Sequence, residues 1–353
     1  MRVLSFKCKN FRNLSDAEIL PCEETNVICG ENAQGKTNLI EGIWLFTGAK
    51  SFRTSKDGDF LQFSKNKAVL SLKFLSEGIE NEAEITVGEK RSVVLNQNKL
   101  SSPSLMAGKF NAVVFSPNDL SLVADGPSVR RRFLDTAIGQ LYPTYISILK
   151  NYMRAVAQRN KIIKDFHYDS TLSIMLDVFE EEIFENGKKL TEYRKRYIEI
   201  LNTFLPSVYS GISAGKESLT TKYIYSFEGD FLTALKNSRR EDMYTGITSI
   251  GPHRDDIDFK INGISARKFG SQGQKRSVAL AVKLSEAEVI NKNVGEWPII
   301  LLDDVMSELD VTRQNYILNH IKGMQSFITC CDDQNIKGLQ NGKKFVVDNG
   351  CVL

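Results

Sequence analysis

One short stretch, Gly30–Thr37 with the sequence GENAQGKT, constrains the fold of this chain more than any other. It fits the pattern G-x-x-x-x-G-K-[ST], a glycine-rich loop whose backbone N–H groups surround phosphate oxygens. The β-branched run TNVIC precedes the loop, and the run TNLIEGIWLF, typical of a helix, follows it. A strand, a glycine loop and a helix in this order predict an α/β domain that binds a nucleotide.

The residue types in the loop suit a phosphate ligand. The glycines let the backbone turn toward the ligand, and Lys36 neutralises the β- and γ-phosphate oxygens. Thr37 lies at the start of the helix, where its hydroxyl is a candidate Mg²⁺ ligand and the helix dipole favours anions. We therefore assign a continuous run to the nucleotide site: Gly30, Glu31, Asn32, Ala33, Gln34, Gly35, Lys36, Thr37 and Asn38.

Two adjacent carboxylates follow an apolar run later in the chain. Ile299–Leu302 are four consecutive aliphatic residues, a pattern typical of a parallel strand buried on both faces. Asp303 follows where open α/β sheets place ligands, and it is the candidate Mg²⁺-associated carboxylate. Asp304 points the other way and is the candidate that orients or deprotonates an attacking water. A plain strand-end turn is the alternative, which the glycine loop disfavours.

A second glycine turn, FGSQGQKRS, begins another helix-like run. Ser271, Gly273 and Gln274 offer a hydroxyl, a closely approaching backbone and a helix N-terminus, which together suit a γ-phosphate. Because the first loop already covers one side of the nucleotide, we expect a second copy of the chain to supply this turn. Two copies around a twofold axis would enclose two ATP molecules, which predicts an ATP-dependent homodimer.

Composition sets broad limits on the class of protein. The chain has 353 residues, of which 42% are hydrophobic, and a net charge of +3, so a globular fold is expected and charge alone does not decide for or against nucleic acid. Its six cysteines lack the spacing of zinc or disulfide frameworks, which predicts a reduced, cytoplasmic protein. No uncharged apolar run approaches the roughly 18 residues of a membrane span, so a membrane partner is not expected.

The middle of the chain differs from its ends. Between Pro143 and Pro206 there is no proline, and helical spacing of apolar residues predicts two long helices separated near residues 166–170. The many basic residues of this region, Arg130 and Arg194 among them, are balanced by acids. This balance favours a solvated mixed-charge surface over a dedicated DNA-binding arm.

The segment GPHRDDIDFKING suggests two other interpretations. It resembles the catalytic loop of protein kinases, but the asparagine required by that pattern comes two positions too late, at Asn262. His253, Asp255, Asp256 and Asp258 could bind a metal, although a turn leading into a strand is the favoured interpretation.

Taken together, the motifs resemble the RecF family, bacterial relatives of the SMC-type ABC ATPases. The resemblance extends nearly from end to end. The matching motifs are KNFRNL, GENAQGKTNLIE, SFRT, VVFSPNDLSLVADGPSVRRRFLD, GPHRDD, FGSQGQKRS and LLDDVMSELD.

The resemblance implies an α/β fold: an ABC-type P-loop ATPase head with mixed β-sheets and an inserted α-helical domain. The head would comprise residues 1–118 and 216–353, and the helical domain residues 119–215. Lys36, Asp303 and Asp304 would be the catalytic residues, and Asp310 would be the D-loop aspartate, which belongs to the nucleotide site. Ser271, Gly273 and Gln274 match the ABC signature acting in trans.

The resemblance also implies partners. It predicts ATP-dependent binding to double-stranded and gapped DNA, and action with RecO and RecR to load RecA at gaps, with roles in replication and the SOS response. ATP and Mg²⁺ would be the cofactors of a weak, DNA-stimulated ATPase that serves as a switch.

Two departures from the wider ABC pattern bear on the hydrolysis rate. Cys330 stands where many ABC ATPases have a switch histidine, and FSPND offers no glutamine at the expected Q-loop position. We therefore expect slow hydrolysis.

The alternative function is that of a nucleotide-binding subunit of an ABC transporter, which shares the loop, the signature and the paired carboxylates. The long separation of loop and signature and the helical insertion favour the SMC-like branch. No N-K-x-D motif supports a GTPase.

Overall fold

The computed structural model describes residues 1–53, 56–165, 173–331 and 342–353. The predicted separation near residues 166–170 lies outside these ranges. Within them, the two long helices of the middle region run over Pro143–Asp165 and Ser173–Ile212. None of the helices in the described ranges has the length and apolar character needed to cross a membrane.

The strands and helices are numbered in chain order. The strands are β1 (Arg2–Phe11), β2 (Leu14–Ile19), β3 (Thr25–Cys29), β4 (Ala68–Ser76), β5 (Ile79–Val87), β6 (Ser92–Leu95), β7 (Asn98–Leu100), β8 (Ala112–Phe115), β9 (Leu219–Ile224), β10 (Asp256–Ile261), β11 (Ile264–Ser265), β12 (Ile299–Leu302), β13 (Ser326–Cys330), β14 (Lys343–Asp348) and β15 (Cys351–Val352). The helices are α1 (Lys36–Trp44), α2 (Ser121–Ala124), α3 (Pro127–Leu141), α4 (Pro143–Asp165), α5 (Ser173–Ile212), α6 (Phe231–Asn237), α7 (Arg239–Thr245), α8 (Ala266–Phe269), α9 (Gln272–Val294) and α10 (Val311–His320).

The chain forms two compact units. Unit 1 comprises Met1–Asp119, Gly211–Gly215 and Ala279–Leu353, and unit 2 comprises Leu120–Ser210 and Lys216–Val278. The boundary near the signature falls inside α9.

Unit 1 is built on a 12-stranded sheet with the order β7-β6-β5-β4-β1-β2-β15-β14-β3-β13-β12-β8. The half from β7 to β2 is antiparallel, whereas β14, β3, β13, β12 and β8 pair in parallel. All four residues of β8 and of β12, and all five of β13, are buried, as expected for parallel strands covered on both faces. The carboxyl ends of these strands therefore meet at one edge, where α1 begins.

Helix α1 packs closely against the antiparallel half of the sheet. A Cβ atom at Gly42 would lie 2.5 Å from the ring of Phe6 on β1, so only glycine allows this approach. Ile40, Ile43 and Phe6 are fully buried in the same core cluster. This packing fixes the start of α1, and with it the glycine loop, against the sheet.

Unit 2 contains the predicted long helices and a 3-stranded sheet with the order β11-β10-β9. The predicted boundary at residue 216 differs from the structure, which groups Lys216–Val278 with the helices. The physical reason is strand pairing within unit 2, because β9 pairs with β10 along its whole length, from Leu219 opposite Ile261 to Ile224 opposite Asp256.

The expectation of a solvated charged surface is wrong for Arg130 and Arg194. Both side chains are about 2% exposed, and their guanidinium groups pair with acids: Arg130 Nε lies 2.6 Å from Asp256 Oδ1, and Arg194 Nη2 lies 2.7 Å from Asp135 Oδ1. A buried charge is stable only when it is paired and hydrogen-bonded, and both arginines also donate to backbone carbonyls. These arginines therefore hold the interior of unit 2 together.

Candidate functional site

The glycine loop has the backbone that its sequence predicts. Gly30 and Gly35 have φ values of 153° and 121°, a region that glycine alone adopts readily. A Cβ at Gly30 would lie 2.3 Å from the carbonyl oxygen of Val347, and one at Gly35 would lie 2.7 Å from Leu14 Cδ2. Both glycines are therefore required by conformation and by close packing.

Lys36 is held across the loop that it closes. Its side chain is buried, and its ammonium donates to the carbonyl oxygens of Gly30 at 2.6 Å and Glu31 at 2.8 Å. Helix α1 begins at Lys36 after Gly35, which provides no side-chain cap for the first-turn N–H groups. A lysine ammonium and an uncapped helix N-terminus at one place form a receptor for an anion.

Thr37, Asp303, Thr329 and Asp304 form a hydrogen-bonded cluster beside the loop. The Thr37 hydroxyl donates to Asp303 Oδ1 at 2.8 Å, and the Thr329 hydroxyl lies 3.2 Å from the same oxygen. The amide of Asp304 donates to Thr329 Oγ1 at 2.8 Å. Residues from the loop, from the end of β12 and from the end of β13 thus meet within hydrogen-bonding distance. Sequence reasoning missed Thr329, which carries no motif of its own.

The two carboxylates have different environments. Asp303 is 6% exposed, and burial raises the pKa of its carboxyl, while the bonds from Thr37 and Thr329 partly offset that rise. Asp304 is exposed and lines a cleft beside the glycine loop. Its backbone is left-handed, with φ of 53°. Aspartate is among the non-glycine residues that adopt this conformation most readily.

Several loop side chains assigned to the nucleotide site bond to the protein itself. Gln34 accepts from the amide of Asn349 at 2.6 Å, and Asn38 donates to Asn13 at 2.6 Å. Asn13 in turn donates to the carbonyl of Ala33 at 2.8 Å. The loop therefore offers a ligand chiefly its backbone, Lys36 and Thr37, and Asn13 supports it from the β1–β2 turn.

Two arginines line the cleft beside the glycine loop. Neither of them was assigned a role from the sequence. Arg12 donates twice to the fully buried Glu41 of α1, at 2.9 and 2.8 Å, and Arg53 lies 3.6 Å from the same carboxylate. Arg53 also donates to Asn38 at 2.5 Å. Because one buried acid faces two arginines, the cleft retains positive charge. Arg12 lies in the motif KNFRNL and Arg53 in the motif SFRT, and these motifs were the sequence signal that could have identified the two arginines.

The cleft has a volume of about 1360 Å³. Its lining includes the loop residues Lys36 and Thr37, the acid Asp304, and also Phe63 and Lys65. The Phe63 ring is 98% exposed, which is unusual for a phenylalanine. A cleft of this size accommodates a nucleotide rather than a phosphate ion alone.

The sequence departs from the ABC pattern in the segment FSPND (115–119) and at Cys330, and both make other contacts in the structure. Asp119 accepts from the amide of Ser116 at 2.7 Å, and burial raises the pKa of its carboxyl to about 6, against the opposing influence of Lys283. Cys330 is buried at the end of β13, and its Sγ lies 3.1 Å from Sγ of Cys29.

Asp310 has a local structural role in addition to the one that the resemblance implies. It caps α10 by accepting from the amide of Arg313 at 3.0 Å, and its carboxylate pairs with the Arg313 guanidinium. The helix-capping bond from Arg313 lowers the pKa of Asp310.

The signature turn in unit 2 is a capping box. The Ser271 hydroxyl accepts from the amide of Gln274 at 3.2 Å, and the Gln274 side chain accepts from the amide of Ser271 at 2.8 Å. The Gln274 amide group also donates to Glu217 at 2.7 Å. Ser271 is exposed and Gly273 is half-buried, so the start of α9 is open to solvent within unit 2.

The proposed alternative metal residues are used by neighbouring groups in unit 2. His253 bonds to the hydroxyl of Tyr152 at 2.6 Å, and burial lowers the pKa of its imidazole to about 4. Asp255 accepts from Tyr223 at 2.6 Å, and Asp256 is the partner of Arg130. Among the residues that the structure describes, no cluster of three histidine, cysteine or acidic side chains could hold a metal ion.

Comparison with known proteins identifies the family. The RecF/RecN/SMC N terminal domain family matches residues 2–351. The DNA replication and repair protein RecF of Agathobacter rectalis is 38% identical over 359 residues, covering 100% of this chain and 99% of the relative. This chain belongs to the RecF family. The RecF protein of Listeria monocytogenes is likewise 38% identical, over 370 residues, with 100% of this chain and 99% of the relative covered.

Solved structures agree with this assignment. A RecF–ATP structure, of a recombination mediator protein in the RecFOR pathway, has a TM-score of 0.92 and 34% identity, covering 99% of this chain and 96% of that one. An Smc head bound to the winged-helix domain of ScpA has a TM-score of 0.59 at 15% identity, covering 100% and 96%, which shows a shared fold. The predicted α/β ABC-type ATPase fold and the resemblance to RecF are therefore confirmed.

Proposed function

We propose that this RecF-family protein binds DNA under the control of ATP, in recombinational repair and replication. ATP would join two copies of the chain into a dimer that holds DNA, and slow hydrolysis would release it. The observation that carries the proposal is the cluster of Thr37, Asp303, Thr329 and Asp304 beside the glycine loop, because it places two candidate Mg²⁺ ligands next to an exposed carboxylate.

The triphosphate of ATP suits the charge of the cleft. Lys36 and the uncapped start of α1 would bind its β- and γ-phosphates, and Arg12 and Arg53 add positive charge. Thr37 and Asp303 offer the hard oxygen ligands that Mg²⁺ prefers, and two protein ligands are typical when phosphates complete the coordination. When bound, Mg²⁺ would neutralise charge that develops on the phosphate oxygens.

The second half of each ATP site would come from another copy. Ser271 and Gln274 form an exposed turn whose hydroxyl and amides lie at the start of the 23-residue helix α9. Asp310, exposed beyond β12, would contact the nucleotide across the same dimer. Two copies related by a twofold axis would bury two ATP molecules, each between one glycine loop and one signature.

Asp304 would orient or deprotonate the attacking water, because it is exposed to the cleft beside the buried Asp303. The expected rate of ATP hydrolysis is low. The segment FSPND offers no glutamine, and Cys330 cannot act as a histidine would. A turnover above about 10 s⁻¹, the median for enzymes, would contradict this part of the proposal.

RecO and RecR are the proposed protein partners, with RecA loading at gaps and the SOS response as the setting in the cytoplasm. The solved RecF–ATP protein is described as a recombination mediator in the RecFOR pathway, which supports this assignment. The transporter alternative is not favoured, because the relatives matched over their full length are DNA replication and repair proteins.

Binding of a fluorescent gapped duplex, measured by anisotropy with and without ATP and Mg²⁺, tests the proposal. ATP should raise the affinity of the wild-type chain, and the affinity should fall steeply as salt rises, because phosphate contacts release counterions. The variant Lys36→Met is the control that should show no ATP response. Equal DNA affinity with and without ATP would contradict the switch.

A further inference from the structure

Two cysteines face each other at the strand ends that carry the glycine loop and Thr329. Cys29 is the last residue of β3 and Cys330 the last of β13, and they are direct partners in the parallel register of these strands. Their Sγ atoms are 3.1 Å apart, and the side chains are 6% and 8% exposed. Apart from Cys331, the remaining cysteines belong to other parts of unit 1: Cys8, Cys22 and Cys351.

The strand register allows a covalent bond between these two thiols. Neighbouring strands lie about 4.8 Å apart, within the range of about 4.4 to 6.8 Å that disulfides span between Cα atoms. We propose that Cys29 and Cys330 are an oxidation site, whose reversible disulfide weakens nucleotide binding. The regulatory consequence rests on the proposed function of the cleft, whereas the disulfide itself does not.

The proposed oxidant is a peroxide. One thiol of the pair attacks a peroxide oxygen, forms a sulfenic acid and releases water, so that the sulfur loses two electrons to the peroxide. The second thiol then attacks the sulfenic sulfur and displaces the hydroxyl group, which leaves as a second water with the thiol proton. One disulfide and two waters form from two thiols and one hydrogen peroxide. A dithiol reductant reverses the reaction by thiol–disulfide exchange.

The disulfide would affect both the glycine loop and Thr329, because each cysteine is next to one of them in the sequence. Cys29 directly precedes Gly30, whose carbonyl accepts from the Lys36 ammonium at 2.6 Å. Cys330 directly follows Thr329, whose hydroxyl joins Asp303 to the amide of Asp304.

Bond formation shortens the sulfur–sulfur distance by about 1 Å, from a contact to a bond of roughly 2 Å. The start of the loop cannot shift freely, because Gly30 packs against the Val347 carbonyl. Displacement of the loop or of Thr329 should therefore weaken the binding of phosphates.

Cys331 is a separate thiol that the experiment must remove. It is exposed, its Sγ lies 3.0 Å from Asn32 Oδ1, and the Lys36 ammonium lies 3.6 Å from the same sulfur. A reaction at Cys331 would itself disturb the glycine loop. The test therefore uses the full chain with Cys331→Ser as the parent, and adds Cys29→Ser or Cys330→Ser to it.

The experiment treats each protein with hydrogen peroxide, removes the oxidant and splits the sample. Mass spectrometry of the intact chain and of its peptides measures disulfide formation, and a fluorescent ATP analogue measures nucleotide affinity before and after a dithiol reductant. The parent should lose the mass of two hydrogen atoms and yield a linked Cys29–Cys330 peptide. Its nucleotide affinity should fall about tenfold, as for the loss of one hydrogen bond to a charged group, and should recover on reduction.

The two serine variants are the matched controls, and alanine replaces serine at either position if a serine variant does not fold. Neither should form the linked peptide, and both should keep their nucleotide affinity after peroxide. Absence of the linked peptide in the parent would overturn the oxidation site. A linked peptide with unchanged nucleotide affinity would overturn the regulatory role. Failure of the untreated wild-type chain to bind the analogue would count against the proposed function instead, while the peptide result would still decide the disulfide.

Discussion

Thr329 joins the two acidic residues of the site through one hydroxyl. It donates toward Asp303 and accepts from the amide of Asp304, so it fixes the backbone that carries the exposed carboxylate relative to the buried one. Valine has the same shape without the hydroxyl. Thr329→Val should leave the Asp304 amide unsatisfied and destabilise the fold by about 1–3 kcal/mol.

The ATPase rate of Thr329→Val should fall about tenfold or more, whereas its affinity for ATP should change little, because Lys36 and the start of α1 remain intact. Steady-state kinetics and chemical denaturation measure the two effects. Thr329→Ser keeps the hydroxyl and should restore both. A serine variant as slow as the valine variant would show that the hydroxyl does not position Asp304.

Lys36 has one role in the loop and a second in the proposed function. In the structure its ammonium bridges two loop carbonyls, and in the proposed function it binds phosphates. Lys36→Met removes both interactions and should weaken nucleotide binding at least about 100-fold, since hydrogen bonds to charged groups are worth about 1.5–3 kcal/mol each.

The control is Lys65→Met, which removes an exposed lysine that lines the same cleft. It should change nucleotide affinity by less than about threefold, because it acts only through screened charge. Isothermal titration with ATP and Mg²⁺ compares the two. Equal losses would mean that overall charge, and not the loop lysine, determines binding.

Helix α4 is tied to its neighbours by one buried arginine. Arg159 is fully buried and pairs with Glu180 of α5 at 3.0 Å and with Asp242 of α7 at 2.7 Å. Arg159→Leu would leave Asp242 and Glu180 buried with fewer partners, and should lower the free energy of unfolding by about 3–5 kcal/mol. Lys161→Leu, on the exposed side of the same helix, should change it by less than about 0.5 kcal/mol. Denaturant titration measures both; a small loss at Arg159 would mean that the remaining network satisfies these acids.

The buried arginines also show which features the sequence could predict. The glycine loop, the strand β12 and the two long helices follow from local patterns, because each pattern depends on neighbours within a few residues. Arg159 meets Asp242 only through tertiary packing, and no local pattern shows that its charge is buried. The same holds for β9 and β10, whose pairing places residues 216–278 in unit 2.

The residues of the site also include some that the sequence could predict and one that it could not. Lys36, Thr37, Asp303 and Asp304 belong to motifs whose chemistry is visible in the residue types, and the structure brings Thr37 and Asp303 together. Thr329 could not be predicted, since a threonine in an apolar strand carries no chemical signal until the neighbouring strand end is known. Strand adjacency is a property of the sheet order, which a single sequence does not specify.

The position of the signature turn bears on how two copies of the whole molecule would assemble. The glycine loop belongs to unit 1 and the exposed Ser271 turn to unit 2, and the proposal assigns them to different ATP sites. Ser271→Arg should therefore leave ATP binding by the monomer intact and prevent ATP-dependent dimerisation. In the monomer, Ser271→Ala should cost only the helix cap, about 1 kcal/mol of stability.

Mixing two inactive variants tests the assignment in trans. Lys36→Met lacks a working loop and Ser271→Arg lacks a working signature, and each alone should neither dimerise with ATP nor hydrolyse it. In the mixed dimer, the loop of the Ser271→Arg chain meets the signature of the Lys36→Met chain, so one of the two sites is complete. The mixture should therefore regain ATP-dependent dimers and part of the ATPase activity, measured by sedimentation and phosphate release. If both halves of each site came from one chain, no mixture could regain either property, and a mixture as inactive as its components would reject the composite site.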